Sequence, residues 1–343
     1  MYSVLSRDPS KFYKAARAAK NPGNDTIKKL LVDNKVYEGD QVCDGFFDSI
    51  SFLKTAAHQD LDSSPVFVSA NEEYRHILRI SQQGSKIPNI TREKTKQLLA
   101  SIRPAVSDFA SITANHFHYA GDEGVSHLKD LINGIIDDLN NLSVDELNIV
   151  SACIHHKGHG KKKTSADSYR TISSCPFQSK LLDSYIRDIY GHVWDHHQAD
   201  TQFQGAGSSH EHAALLLTEC IQHSLHTKKP LFVLYLDAKS AFDLVLRQFL
   251  INKLFHYGIQ DHGLVFLDQR LKHRKTVCEW NGQLMGPILD KWGVEQGGRN
   301  SSELYKVFNN CQLEIAQSSK LGVALGACLV AYSVEELDVV YFT

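Results

Sequence analysis

A short apolar run in this sequence ends in an acidic residue that could bind a metal ion. The segment LFVLYLD (231–237) has the pattern of a buried strand that carries Asp237 to its end, and Asp243 follows a few residues later. A carboxylate at the end of a rigid strand can hold a divalent cation in reproducible geometry, as two-metal phosphoryl transfer requires. An aspartate that only caps the following helix is the alternative, so this segment leaves both interpretations open.

A glycine-rich segment, GVEQGGRNSSELY (293–305), follows farther along the chain. Its small residues would allow a ligand to approach the backbone closely at the start of a helix that we predict over residues 302–317. A glycine-rich loop before a capped helix, without any ligand, is the alternative.

The elements around these two segments predict an α+β fold. Apolar residues after Asp237, including Phe242, have helical spacing up to Gly258, and Asn281 with Gly282 is a strong hairpin signal. The β-rich segments 329–333 and 338–343 predict a second hairpin. The resulting order is strand, helix, hairpin, helix, hairpin.

The first half of the chain gives fewer signals. Residues 30–39 predict a small hairpin around Asp33 and Asn34, and the apolar spacing of residues 125–139 predicts a helix. Ser143 followed by Glu146 fits a capping box that would start a further helix.

Composition is that of a soluble globular protein. The chain has 343 residues, is 42% hydrophobic and carries a formal net charge of -2, so any binding of nucleic acid must depend on local basic patches. No apolar run is long enough for a membrane helix or a signal peptide, and seven cysteines without CxxC pairs favour a reducing compartment. We therefore expect an intracellular protein, in the nucleus or the cytoplasm, with no membrane partner.

In this order, the aspartate segment and the glycine-rich segment resemble the reverse transcriptase domain of non-LTR (LINE-like) retroelements. SYRTISSCPFQSKLLDSYI (168–186) looks like the family's fingers motif, usually written YRPIS. TQFQGAGSSHEHAA (201–214) is similar to its QxGFRxGxST segment, and CIHHKGHGKKK (153–163) to the preceding basic loop. The resemblance covers residues 150–343, and residues 30–150 more weakly.

The resemblance implies the fingers and part of the palm of a right-hand polymerase in residues 151–343. Residues 1–150 would be the mainly helical linker that joins an endonuclease to the polymerase in relatives. The chain would then be a truncated piece of a longer polyprotein, ending before the thumb. Its implied partners are an RNA template, a DNA primer and a dNTP.

The resemblance also implies a nucleotide site. Arg170 would grip the incoming triphosphate as a bidentate fork, with Lys157 as a second candidate. Phe242 takes the place of the bulky residue that stacks under the deoxyribose and rejects a 2′-hydroxyl. Gln296 and Gly297 would pack against nucleotide and template, where a glycine leaves room for bases. Without the resemblance, Arg170 could be a surface ion pair and Phe242 a core residue.

The implied metal site is Asp237 with Asp338, which would hold two catalytic Mg²⁺ ions. The family has the motif xADD in the last hairpin, but here Glu336, Leu337 and Asp338 align with its Ala, Asp and Asp. Leucine cannot coordinate Mg²⁺, so we expect the chemical step to be slowed by about a thousandfold or more. Glu336 could substitute only if the hairpin slipped by one residue, because neighbouring strand residues face opposite sides.

Three functional hypotheses remain open at this point. The first is an RNA-directed DNA polymerase fragment with little or no activity. The second is a catalytically dead nucleic-acid-binding remnant of a retroelement. The third is a translated pseudogene without stable function, whose incomplete palm exposes sheet edges and apolar surface and therefore aggregates.

Overall fold

The computed structural model describes most of the chain from residue 27 onward. The described residues are 27–58, 61, 63–103, 108, 112–158, 160–197, 199, 203, 209–235, 238–318, 321–325, 328–334 and 337–342. Helices and strands alternate along them, which confirms the predicted α+β class. Among the helices of these residues, none combines the length and the apolarity needed to cross a membrane.

The chain begins with strands β1 (Lys29–Val32) and β2 (Lys35–Glu38). The helices that follow are α1 (Val42–Thr55), α2 (Pro65–Ser81), α3 (Arg92–Ser101), α4 (Ala114–Tyr119), α5 (Gly121–Asp137) and α6 (Asp145–Asn148). Next come β3 (Ile149–His156), β4 (Tyr169–Ser174), α7 (Phe177–His196), α8 (His210–Thr227) and β5 (Leu231–Tyr235). The last elements are α9 (Arg247–His256), α10 (His262–Lys272), β6 (Lys275–Trp280), β7 (Gln283–Leu289), α11 (Ser301–Ser318), β8 (Leu321–Leu325), β9 (Cys328–Val334) and β10 (Leu337–Phe342).

One four-stranded sheet has the strand order β4-β3-β6-β7. Strand β3 is antiparallel to β4 and parallel to β6, and β6 forms a hairpin with β7. The hairpin turns at Asn281 and Gly282, whose φ angles of 49° and 78° lie in the left-handed region that a type I′ turn requires. The hairpin predicted from this dipeptide is therefore confirmed.

The β1–β2 hairpin and helix α1 pack against this sheet. The hairpin turns at Asp33 and Asn34, with φ angles of 43° and 69°, as predicted from the sequence. The ring of Phe46 in α1 lies 4.8 Å from the ring of Tyr169 and 4.7 Å from that of Trp280. Aromatic groups in such contact bury large apolar areas. Residues before position 150 therefore share a core with the sheet that follows it.

A larger helical core also includes residues from both sides of position 150. Leu128 and Ile132 of α5 are buried in the same cluster as Leu181 and Ile186 of α7. Helix α5 confirms the helix predicted from apolar spacing in this region. Both cores contain residues from before and after position 150. Among the described residues, the first 150 positions therefore form no separate core. The division into a linker and a polymerase domain stays a prediction.

The prediction that Ser143 starts a longer helix is wrong. The Ser143 hydroxyl donates to the carbonyl of Asn140 at 2.8 Å, and α6 forms a single helical turn. From Ile149 onward the backbone is hydrogen-bonded in β3, between β4 and β6, where Val150 is buried. Pairing in the sheet therefore overrides the local helix signal.

A second four-stranded sheet has the order β5-β10-β9-β8. Strands β9 and β10 are antiparallel neighbours, which confirms the hairpin predicted near the end of the chain. Strand β5 is also confirmed, but it is an edge strand whose Phe232 remains 48% exposed. The prediction that this strand is buried is therefore wrong at Phe232, because the apolar run lies at the edge of the sheet and not at its centre.

Candidate functional site

A cavity of about 280 Å³ opens between the β4-β3-β6-β7 sheet, helix α1 and the loop that follows β5. Its volume lies near the lower end of the range for small-ligand sites, about 300–1,000 Å³. Four residues predicted to bind nucleotide line it: Lys157, Arg170, Phe242 and Gln296. The structure thus brings together side chains from four separate segments of the chain.

The cavity has an excess of positive charge along the sheet. Arg170 on β4 is exposed there, opposite His155 in the strand register, and its guanidinium has no hydrogen-bond or ion-pair partner in the part of the chain that the structure describes. The Nζ atom of Lys157 donates to the carbonyl oxygen of Asp167 at 2.8 Å, and Lys239 lies 3.1 Å from the Asp167 carboxylate. Lys239 neutralises the charge of the Asp167 carboxylate. The positive charges of Lys157 and Arg170 are therefore left to attract an anionic ligand.

The loop after β5 holds Phe242 at the cavity through its backbone. The carbonyl of Phe242 accepts a hydrogen bond from the amide of Val294 at 2.8 Å, and its ring stacks on Tyr305 at 5.0 Å between centroids. Ser240 has a φ of 53°, a conformation that is uncommon outside glycine and is found at functional sites. The helix predicted to include Phe242 begins only at Arg247. In a helix the Phe242 carbonyl would accept a hydrogen bond from an amide in the next turn, but here it accepts one from the amide of Val294.

A buried group of charges lies behind Phe242. Lys54, in the last turn of α1, has its Nζ atom 3.4 Å from the Asp243 carboxylate and 3.2 Å from that of Asp290. Asp290 also accepts hydrogen bonds from Arg274 at 2.7 Å and from Thr276 at 2.9 Å. Burial by itself would raise the pKa of Asp290, but Arg274 and Lys54 together hold that pKa below its ordinary value. Asp290 is therefore charged at neutral pH.

Gly297 lies close to the backbone of β4 and is not among the residues that line the cavity. The carbonyl of the preceding residue, Gln296, accepts a hydrogen bond from the amide of Ser173 on β4 at 2.7 Å. A Cβ atom on Gly297 would lie 2.8 Å from the carbonyl oxygen of Ser173, and its φ of 110° disfavours other residues. The space beside Gly297 is thus occupied by β4, and its predicted packing against nucleotide and template stays a prediction.

The structure does not test the predicted metal site. Asp237 lies outside the described residues, and Asp338 on β10 is paired with Leu231, the first residue of β5. In this register the first residues of β10 lie beside the beginning of β5. Among the residues that the structure describes, no three His, Cys, Asp or Glu side chains are grouped to hold a metal ion. The shared Mg²⁺ site gains no support here and stays a prediction.

The altered acidic motif lies at the start of β10. Leu337 is the first residue of that strand, with its Cα opposite Val334 of β9. Glu336 lies outside the described residues, so its substitution for the missing aspartate also stays a prediction.

Sequence reasoning missed one wall of the cavity. Ser49, Ile50 and Leu53 of α1 line it, although they lie far before the motifs in sequence. No local pattern could have shown this, because α1 has only the spacing of an ordinary amphipathic helix. Lys239 was also missed, and its position two residues after Asp237 was an available signal.

Comparison with protein families gives a match over the second half of the chain. The model of the reverse transcriptase (RNA-dependent DNA polymerase) family matches residues 160–332, which are 173 of the 343 residues. Comparison with curated proteins gives no match. The matched range contains Arg170, Phe242 and Gln296 of the cavity, while Lys157 and α1 precede it. The chain belongs to the reverse transcriptase (RNA-dependent DNA polymerase) family.

Proposed function

We propose that the cavity is the deoxynucleoside triphosphate site of an RNA-directed DNA polymerase from a non-LTR (LINE-like) retroelement. One observation carries this proposal: Lys157, Arg170, Phe242 and Gln296, all predicted to bind nucleotide, line the same cavity. The family copies an RNA template from a DNA primer with dNTPs, so these are the partners that we propose for this chain.

The roles of the side chains follow from their charge and position. Arg170 and Lys157 bind the triphosphate, since a guanidinium can form two parallel hydrogen bonds to phosphate oxygens and an ammonium adds a point charge. Phe242, held in place by its backbone and by Tyr305, packs against the sugar. Gln296 offers an amide at the same cavity.

We further propose that nucleotidyl transfer is impaired. Asp237 and Asp338 would hold the divalent ions, which activate the primer hydroxyl and neutralise charge on the phosphates in this chemistry. Leu337 occupies the position of the other aspartate in the family motif, and it offers no ligand atom. The chain would therefore bind nucleotide far better than it incorporates it.

A catalytically dead nucleic-acid-binding protein is the second candidate, and Leu337 is the observation that favours it. In that case RNA would contact the exposed loop that contains Lys161 and Lys162. For either candidate we propose an intracellular location. Six cysteines whose side chains the structure describes are free thiols, which suits a reducing compartment: Cys43, Cys153, Cys175, Cys220, Cys278 and Cys311.

The triphosphate site is tested by replacing Arg170. We expect Arg170→Ala to weaken dTTP binding by about 10- to 100-fold, because a charge-assisted hydrogen bond is worth about 1.5–3 kcal/mol. Calorimetric titration of the whole chain with dTTP measures this change, and Arg75→Ala, at an exposed position of α2, is the matched control. Equal affinities of the two variants, or no binding by the unaltered chain, would contradict the proposal.

The impaired transfer is tested by restoring the acidic residue. We expect the unaltered chain to extend a DNA primer on RNA very slowly, and Leu337→Asp to raise the rate by about tenfold or more, because a carboxylate would again be available to the metal. Rapid extension by the unaltered chain that Asp237→Ala abolishes would refute the impairment. Salt-dependent RNA binding without extension by either chain would favour the second candidate.

A further inference from the structure

The lysine in the last turn of α1 is buried to an unusual degree for its type. The side chain of Lys54 is 4% exposed and lies between two carboxylates, those of Asp243 and Asp290. Buried lysines are rare unless they are paired, and removing one partner of such a pair leaves an uncompensated charge. Which carboxylate would carry the uncompensated charge without Lys54 depends on the other partners of Asp243 and Asp290.

The two carboxylates differ in this respect. Asp290 has Arg274 and Thr276 as further partners, so it remains neutralised and hydrogen-bonded without the lysine. Asp243 has Lys54 as its only side-chain partner within the described residues, and it lines the cavity. The main effect of Lys54 is therefore on Asp243.

Asp243 is the residue next to Phe242, and both are held in a tightly packed loop. The amide of Gly293 donates to the carbonyl of Val245 at 2.7 Å, on the far side of Asp243 from Phe242. A Cβ atom on Gly293 would lie 2.7 Å from the carbonyl oxygen of Asp243, so the two backbones are in direct contact. Backbone contacts thus restrain the loop on one side, and the Lys54 ion pair restrains the side chain of Asp243.

Helix α1 connects this ion pair to the wall of the cavity. Ser49, Ile50 and Leu53 line the cavity, and the carbonyl of Leu53 accepts a hydrogen bond from the indole of Trp292. The carbonyl of Lys54 itself accepts one from the amide of Lys291 at 3.0 Å. The end of α1 is therefore fixed to the segment just before the glycine-rich loop, and it precedes the residues that the family model matches.

We propose that Lys54 is a positioning residue of the nucleotide site, which through Asp243 fixes Phe242 and thereby sets the discrimination between deoxyribose and ribose. This inference rests on the proposed function of the cavity. Without the ammonium group, the Asp243 carboxylate would turn toward the cavity to regain solvent. It would then repel the triphosphate and release Phe242 from its place against the sugar.

The test measures sugar discrimination, which a purely structural lysine would not change. Binding of dTTP and of ribothymidine triphosphate to the whole chain gives a ratio of dissociation constants for each variant. We expect Lys54→Met to reduce the preference for dTTP by about tenfold and Lys54→Arg to keep it within about twofold. Phe242→Ala shows how far the ratio falls when the aromatic ring itself is lost.

A matched control separates this effect from the general cost of losing a buried ion pair. Lys306 is also buried and pairs with Glu303 at 2.8 Å, but it does not line the cavity. Lys306→Met should leave the preference for dTTP unchanged. Hydrogen exchange of residues 239–245 gives a readout without nucleotide, and we expect faster exchange there in Lys54→Met than in Lys54→Arg or Lys306→Met.

The outcomes distinguish this inference from the proposed function. If Phe242→Ala lowers the preference for dTTP and Lys54→Met leaves both the preference and the exchange unchanged, the role of Lys54 is refuted and the nucleotide site stands. If the unaltered chain binds neither triphosphate, the proposed function fails, and the inference about Lys54 fails with it.

Discussion

At the scale of single residues, Gly297 shows that a glycine beside a residue of the cavity can be required by the backbone. Its φ of 110° lies in a region that other residues rarely adopt, and the carbonyl oxygen of Ser173 fills the space where a side chain would begin. Gly158 has a similar φ of 103°, but a Cβ atom there would meet nothing within 4 Å. A comparison of alanine substitutions at the two glycines therefore distinguishes the free-energy cost of the positive φ angle from that of the contact with Ser173.

We expect Gly297→Ala to lower the free energy of unfolding by about 2 kcal/mol or more, and Gly158→Ala to lower it less. Both variants bear the strain of a positive φ, but only the alanine at position 297 would also collide with β4. Chemical denaturation of the two variants measures the difference. Equal losses would show that the contact with Ser173 does not constrain this loop.

At the scale of elements, helix α1 depends on its apolar face to reach the sheet. Phe46 is 2% exposed and lies against Tyr169 and Trp280, whereas Phe52 of the same helix is 53% exposed. The position of α1 matters for the cavity, because the same helix carries Lys54 and three lining residues. A loss of packing at Phe46 should therefore affect stability and nucleotide binding together.

We expect Phe46→Ala to lower the free energy of unfolding by about 3–5 kcal/mol, the usual cost of removing a buried phenylalanine ring. Phe52→Ala is the matched control and should change it by less than about 1 kcal/mol, since the ring is largely in solvent. Thermal unfolding followed by circular dichroism measures both. Similar losses in the two variants would contradict the packing of α1 described above.

At the scale of the whole molecule, buried charges connect segments that are distant in sequence. Arg274 lies 3.4 Å from the carboxylate of Glu295, which is next to Gln296 of the cavity. Burial alone would raise the pKa of Glu295, but Arg274 and Arg270 hold it below its ordinary value of 4.5. Burial would likewise raise the pKa of Asp290, but Arg274 and Lys54 hold that pKa below its ordinary value of 3.8.

These two depressed pKa values predict the direction of the pH dependence of folding. A carboxyl group with a lower pKa in the folded state stabilises the fold above its unfolded pKa, and this contribution is lost as the pH falls through the folded pKa. We therefore expect the free energy of unfolding to decrease as the pH falls below the ordinary values of 4.5 for Glu295 and 3.8 for Asp290.

Substitution of Glu295 tests whether this residue contributes to the pH dependence of stability. Glu295→Gln should lower stability at neutral pH by about 3 kcal/mol, because it leaves buried guanidinium groups undercompensated, and it should flatten the decrease in acid. Glu123→Gln, at an exposed position of α5, is the control and should leave the pH profile unchanged. Denaturation series at several pH values measure both profiles. An unchanged acid decrease in Glu295→Gln would assign the pH dependence to other groups.

The sequence by itself determined the features that local chemistry controls. Two hairpins followed from Asp33–Asn34 and Asn281–Gly282, because few residue pairs adopt two successive positive φ angles. Helix α5 followed from apolar residues at helical spacing. The family followed from the order of short motifs, which also singled out four residues that line one cavity: Lys157, Arg170, Phe242 and Gln296. Each of these depends on neighbours in the chain or on motif order, and not on packing.

Only the tertiary structure decided which distant residues share the cavity. Lys54 lies 189 positions from Asp243, and no periodicity connects them. Sheet pairing, and not the local cap signal at Ser143, decided that residues after Asn148 form a strand. The backbone of Val294, and not the apolar spacing, decided that Phe242 lies in a loop. In each case a long-range hydrogen bond or ion pair outweighs a local preference of about 1 kcal/mol, which short sequence windows cannot reveal.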